Sequence, residues 1–192
     1  MPTVRLAPTR ASVVAILLSL SVGTQSAAQV TQQSSSSYTA PHQRLAQEVY
    51  KELIEINTVD SVGNVTAAAE AMSKRFLAAG FPAGDVQVLA PRPDKANLIV
   101  RYRGRTGSTR KPIMLLAHLD VVEALKTDWS SDLDPFKLIE RDGYFYGRGT
   151  SDNKAMAGIF VANMLRMKRE GYVPDRDIIL ALTADEEGGP AN

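Results

Sequence analysis

The sequence predicts an α/β protein, a three-layer sandwich in which helices cover both faces of a mixed, mostly parallel β-sheet. Helical and strand-like patterns alternate along the chain from residue 42 onward, which is typical of α/β folds. Two strand-like runs, residues 111–117 and 177–184, are continuously apolar and therefore suit central strands with both faces covered. The chain has 192 residues, enough for one domain with a substantial core.

The first thirty residues have the pattern of a secretory signal peptide. Arg5 and Arg10 form a basic start, residues 11–22 are apolar, and the small residues 26–28 suit a cleavage site. An uncleaved membrane anchor is the alternative, but the apolar run falls short of the ~20 residues that a spanning helix needs. We therefore expect residues 1–28 to be a signal peptide cleaved near Ala28, no stable membrane anchor, and export to the periplasm or the medium.

Residues 29–38 form a polar, low-complexity segment, which predicts a flexible leader before a folded domain over residues 39–192. Apolar residues recur at helical spacing or alternate as in strands along that domain, and glycine and proline end several of the runs. The predicted elements are helices over 42–56 and 65–79, strands over 85–90, 96–104 and 111–117, a hairpin over 136–149, a helix over 153–170 and a strand over 177–184.

Charge and cysteine content limit the possible functions. Lys and Arg total 22 against 21 Asp and Glu, a net charge of +1 that gives no indication of a nucleic-acid partner. The chain has no cysteine, so a metal site would have to be built from His, Asp and Glu. Such ligands favour zinc, manganese or cobalt over copper(I) or iron–sulfur clusters.

Three clusters of polar residues follow predicted strands or a turn, and they are "AHLD", "GRGTSDNK" and "ADEEGG". In open α/β sheets, ligands bind outside the carboxyl ends of the strands, and two of the clusters lie at such ends. The three clusters could therefore converge on one site.

Each cluster taken alone has two interpretations. His118 and Asp120 could be a metal ligand and the carboxylate that orients it, or a half-buried histidine with a loop-capping aspartate. Asp152 could be a ligand or the N-cap of the helix that follows. Glu186 and Glu187 could divide metal binding and proton transfer, or belong to a solvated acidic loop or a first helical turn.

Taken together, the clusters resemble a known family. The segments "LLAHLDVV", Trp129 with "DPF", "DGYFYGRGTSDNKA" and "LTADEEGG" follow one another in the order found in the M20 family of zinc peptidases and amidohydrolases, which includes carboxypeptidases, dipeptidases, aminoacylases and desuccinylases. The resemblance implies a zinc-exopeptidase-like fold and hydrolysis of a peptide or N-acyl amide bond near a free carboxylate. It also implies two zinc ions, with cobalt or manganese as substitutes, a small peptide or N-acyl amino acid as substrate, and a full-length protein that is often a homodimer.

The resemblance also implies a role for each candidate residue. His118 is similar to the ligand of one zinc ion, and Asp120 to the residue that orients this histidine. Asp152 is similar to the carboxylate that bridges both ions, followed by a cis peptide bond. Glu186 is similar to the general base that takes a proton from the attacking water, and Glu187 to the ligand of the second zinc ion.

The sequence departs from the family pattern at several places. Asn153 stands where the family usually has methionine, and the loop over residues 129–134 is a residue or two longer. The family uses two more ligands, a carboxylate and a histidine, far downstream of the paired glutamates, and His42 does not match that histidine. We therefore expect the amino-terminal portion of such an enzyme, and the alternative is a non-catalytic, truncated product with weak or no metal binding.

Overall fold

The computed structural model describes residues 40–188. The predicted signal peptide and polar leader lie outside these residues and stay predictions. The helices are α1 Pro41–Glu55, α2 Val65–Ala78 and α3 Lys154–Arg169, and the strands are β1 Val86–Arg92, β2 Lys95–Tyr102, β3 Ile113–His118, β4 Ile139–Arg141, β5 Tyr144–Tyr146 and β6 Ile178–Thr183. Each predicted helix and strand from residue 42 onward is present, with its ends shifted by a few residues.

Four strands form one sheet in the order β1-β2-β6-β3, and β4 and β5 form a separate hairpin. The pairs β1/β2 and β2/β6 are antiparallel, and β6/β3 is parallel. The predicted mixed sheet is therefore confirmed, but the prediction that it is mostly parallel is wrong for the described residues. For β1 and β2 the reason is the tight connection at residues 93–94, where Arg92 pairs with Lys95 and the chain reverses. The pairing of β2 with β6 is a long-range antiparallel contact.

One face of the sheet is covered by the helices. Leu98 and Val100 of β2 and Leu180 and Leu182 of β6 are fully buried there, in one core with residues of all three helices. On the opposite face, Met114 is 66% exposed and Leu116 is 59% exposed. Residues 40–188 therefore form two layers, and the predicted third layer is not found among them.

Helix α1 packs on α3, and hydrogen bonds connect α1 to the loop that precedes α3. The Tyr50 hydroxyl donates a hydrogen bond to the Thr150 carbonyl at 2.8 Å, and Lys154 Nζ donates to the Ile56 carbonyl at 2.8 Å. Both bonds hold the segment just before α3, which carries Asp152. Within residues 40–188, none of the helices has the length and apolar character that crossing a membrane requires.

Candidate metal centre

Strands β3 and β6 end side by side at one edge of the sheet. They are parallel neighbours in which His118 is in register with Thr183, and the Leu119 amide donates to the Thr183 carbonyl at 2.8 Å. The segments that follow the two strands, residues 119–120 and 184–187, therefore leave the sheet beside His118, the last residue of β3. This parallel pairing brings the histidine and the paired glutamates together.

A loop between β5 and α3 supplies the third segment. Gly149 has φ of 83°, and a Cβ atom there would lie 2.8 Å from Val121 Cγ1, so the chain needs glycine for both its conformation and its close approach. The loop places Asp152 Oδ1 2.9 Å from His118 Nε2. The Asp152–Asn153 peptide bond is cis, as the family resemblance implies.

The structure brings all five candidate residues into one group. His118, Asp152 and Glu187 each offer a ligand atom, and these atoms lie within 4.8 Å of one another. Glu186 Oε2 lies 3.9 Å from His118 Nε2, and its side chain is 57% exposed. Asp120 lies behind the histidine and is 2% exposed.

Asp120 contacts two members of the group at once. Its backbone carbonyl lies 3.1 Å from His118 Nδ1 and its Oδ1 lies 3.4 Å from the same nitrogen. Its Oδ2 accepts a hydrogen bond of 2.8 Å from the Glu187 amide. Asp120 therefore contacts both the imidazole of His118 and the backbone of Glu187, and the sequence did not predict the contact with Glu187.

These contacts shift the pKa values of the group. The Asp120 carboxylate, as an acceptor for the imidazole, raises the pKa of His118 to about 9. Burial lowers this pKa, and the contact with Asp152 raises it further. Burial alone would raise the pKa of Asp120, but the hydrogen bonds from His118 and from the Glu187 amide outweigh it and lower this pKa to about 2. Burial and the charge of Asp152 raise the pKa of Glu187.

The donor set fits a zinc ion. Zinc takes imidazole nitrogen and carboxylate oxygen at about 2.0–2.2 Å, which puts the ligand atoms of one ion about 3.3–3.5 Å apart. Separations within 4.8 Å need only small rotations of the exposed Asp152 and the half-buried Glu187 side chains. His118 Nε2 faces the other two candidate ligands, while Nδ1 faces the Asp120 carbonyl, an arrangement compatible with metal binding by a histidine.

Two buried lysines border the group, and the sequence did not assign them a role. Lys154 is fully buried, and burial lowers its pKa to about 7. The sequence could have indicated that Lys154 is buried, because it lies on the same helical stripe as Ala157 and Val161, which are buried in α3. Lys95, at the start of β2, is 2% exposed and forms ion pairs with Asp60 and Asp185, for which the local sequence holds no comparable signal.

Comparison with known proteins relates the chain to one family. The sequence profile described as "Peptidase family M20/M25/M40" matches residues 114–192. The chain is 43% identical over 77 residues to the N-fatty-acyl-amino acid synthase/hydrolase PM20D1 of Bos taurus, covering 40% of this chain and 15% of that protein. It is 31% identical over 142 residues to aminoacylase-1 of Sus scrofa, covering 73% of this chain and 33% of that protein.

A solved structure shares the fold. The dipeptidase Dug1p of Saccharomyces cerevisiae superposes with a TM-score of 0.61 at 20% sequence identity, over 75% of this chain and 32% of that one. This chain therefore spans a third or less of each of the three proteins named.

Proposed function

Because residues 114–192 belong to the peptidase family M20/M25/M40, we propose that this chain carries part of the active site of a metal-dependent hydrolase of peptide or N-acyl amide bonds. The observation that supports this proposal most directly is the group of His118, Asp152 and Glu187, with ligand atoms within 4.8 Å of one another and Glu186 beside them. The relatives named as an aminoacylase and as an N-fatty-acyl-amino acid hydrolase favour an N-acyl amino acid as substrate.

The chain's own residues divide the work between binding and proton transfer. His118, Asp152 and Glu187 would hold zinc, with Asp152 and Glu187 as carboxylate ligands and His118 as the imidazole ligand. Zinc supplies Lewis acidity toward the scissile carbonyl and lowers the pKa of a coordinated water. Asp120 keeps Nε2 of His118 turned toward the metal position by accepting from Nδ1.

Glu186 is the proposed general base. Its carboxylate oxygen is 3.9 Å from His118 Nε2, next to the proposed metal ligands but outside their group of three. The carboxylate takes a proton from the attacking water, whose oxygen forms the new bond to the carbonyl carbon. It then gives that proton to the amide nitrogen as the carbon–nitrogen bond breaks, so the products are a carboxylic acid and an amine.

A second candidate is a non-catalytic metal-binding protein. The described residues bring together three ligand side chains, which is the number that one catalytic zinc ion takes from a protein. A single ion could therefore bind to His118, Asp152 and Glu187 without the second ion that the family's chemistry uses. Metal binding without hydrolysis would favour this candidate.

Paired variants test the division of roles. In the full chain, we expect Glu187→Gln to weaken zinc binding by roughly 100-fold or more, because it removes a ligand and even changes behind a ligand cost roughly 10–100-fold. We expect Glu186→Gln to leave zinc binding within about twofold. Glu48→Gln, at an exposed position on α1, is the matched control. Calorimetric zinc titration and hydrolysis assays with dipeptides and N-acyl amino acids provide the measurements. Equal loss of zinc affinity in the two variants would contradict the assignment.

We further propose export of the protein, since residues 1–28 have the pattern of a signal peptide. Mass spectrometry of the amino terminus should find cleavage near Ala28. A chain that retains Met1 in the cytoplasm would contradict this proposal.

A further inference from the structure

We propose that the buried ion pair between Lys95 and Asp185 is a positioning device for the metal centre, because it fixes the turn that carries Glu186 and Glu187. This inference rests on the proposed function and extends it to two residues outside the group of His118, Asp152 and Glu187. Lys95 and Asp185 are 90 residues apart in the chain, Lys95 at the start of β2 and Asp185 two residues after the end of β6.

The pair is almost fully shielded from solvent. Lys95 Nζ lies 2.8 Å from Asp185 Oδ1, and the two side chains are 2% and 1% exposed. The same ammonium lies 2.7 Å from Asp60 Oδ1, whose side chain is 66% exposed. Lys95 thus connects a surface carboxylate to a buried one directly beside the metal centre.

Asp185 has a backbone conformation that needs support. Its φ is 91°, in the left-handed region that glycine adopts easily and other residues rarely adopt. An aspartate at this position keeps a side chain that glycine lacks, and that side chain binds Lys95. The conformation of Asp185 turns the chain at the end of β6, so that the next two residues face His118.

The turn is held from both sides. On the β2 side, Lys95 binds Asp185, and the Asn97 side chain accepts a hydrogen bond of 2.7 Å from the Ala184 amide. On the β3 side, Asp120 accepts from the Glu187 amide at 2.8 Å. If the β2 side is released, the Glu187 side chain can leave the positions from which it meets His118 and Asp152.

Charge also supports this role. Lys95, Asp120, Asp185 and Glu187 line one cavity of about 430 Å³, so the ammonium faces the acidic side of the centre. Burial alone would lower the pKa of Lys95, but the hydrogen bonds with Asp185 and Asp60 outweigh it and raise this pKa. Lys95 is therefore a positive charge beside an acidic centre.

The test compares Lys95→Met and Asp185→Asn with Asp85→Asn in the full chain. Asp85 is a matched control, because its buried carboxylate binds Arg103 near β1 and belongs to a different cavity from the metal centre. The first measurement is hydrogen exchange of the Glu187 amide by NMR, with the Leu180 amide in the middle of β6 as an internal reference. The second is zinc affinity by calorimetry at a temperature where each variant is folded.

We expect Lys95→Met and Asp185→Asn to speed exchange of the Glu187 amide about tenfold or more relative to Leu180. We expect them to weaken zinc binding roughly 10–100-fold, as changes behind a ligand do, and Asp85→Asn to do neither. The proposal is overturned if the Glu187 amide exchanges in both variants as it does in Asp85→Asn.

Two further outcomes are distinguishable. If the unaltered chain binds no zinc, the proposed function fails, and the exchange rates still decide whether the ion pair holds the turn. If Lys95→Met does not fold, because it leaves Asp185 as a buried charge without this partner, the double variant Lys95→Met/Asp185→Asn removes both charges and is measured instead. In that variant, fast exchange of the Glu187 amide supports the proposal and exchange at the control rate overturns it.

Discussion

Zinc binding should depend steeply on pH, because the metal must replace a proton on His118. The pKa of this imidazole is raised from 6.5 to about 9 in the metal-free structure, chiefly by the Asp120 side chain. At pH 7 only about one imidazole in a hundred is then free of its proton, since each pH unit below the pKa is a factor of ten. We expect the apparent zinc affinity to rise about tenfold per pH unit from pH 7 to pH 9 and then to level off.

The assay is calorimetric titration of the full chain with zinc supplied from a chelator buffer, in pH buffers of different ionisation enthalpy. At pH 7, about one proton should be released for each zinc ion bound. Asp120→Asn should lower this number, because it removes the main cause of the raised pKa. His42→Ala alters an exposed histidine on α1 and should leave it unchanged. An affinity that is flat between pH 7 and 9, with no proton released, would refute the reasoning.

The same shift has a consequence for the metal-free protein. A histidine whose pKa is higher in the folded state than in the unfolded state stabilises the fold fully below about pH 6.5. That contribution is lost as the pH rises through about 9. For a side chain that is 7% exposed, the shift corresponds to about 3 kcal/mol of unfolding free energy.

Two further predictions concern the elements around the centre. Gly149→Ala places a Cβ atom 2.8 Å from Val121 Cγ1 at a φ of 83°, and we expect it to lower the free energy of unfolding by about 1–3 kcal/mol more than Gly107→Ala. Gly107 has φ of 80° but open space around it, so equal losses in urea unfolding would contradict the crowding argument. Burial lowers the pKa of Lys154 from 10.5 to about 7. Between pH 7 and 10.5 the unfolded chain therefore binds more protons than the folded chain, and the free energy of unfolding rises with pH. Lys154→Met should remove that rise, and a Tm difference from the unaltered chain that stays constant from pH 7 to 10.5 would argue against it.

Much of the local structure could be predicted because the signals are local. Leu45, Val49 and Leu53 recur at helical spacing, and all three are buried in α1. The hairpin of β4 and β5 turns at residues 142–143, where an aspartate and a glycine both have positive φ. Backbone conformation and the face of an element that becomes buried depend on residues within a few positions of one another, so the chain itself specifies them.

Part of the centre was also determined by the sequence. The absence of cysteine restricted possible ligands to His, Asp and Glu, and the polar residues after β3 and β6 indicated one edge of the sheet. The structure places His118, Asp152 and Glu187 close together, as a shared site requires. Their roles as ligands remain proposals that the zinc titrations test.

Only the tertiary structure decided how the strands pair and which charges are buried. Strand β2 lies between β1 and β6 and is antiparallel to both, so the sheet is less parallel than the apolar runs suggested. Lys95 meets Asp185 across 90 residues of chain, and Lys154 reaches the end of α1 at Ile56. Such contacts depend on which surfaces are buried together when the whole chain folds. Because hydrophobic burial is not directional, no local sequence pattern specifies which distant residue a buried lysine will meet.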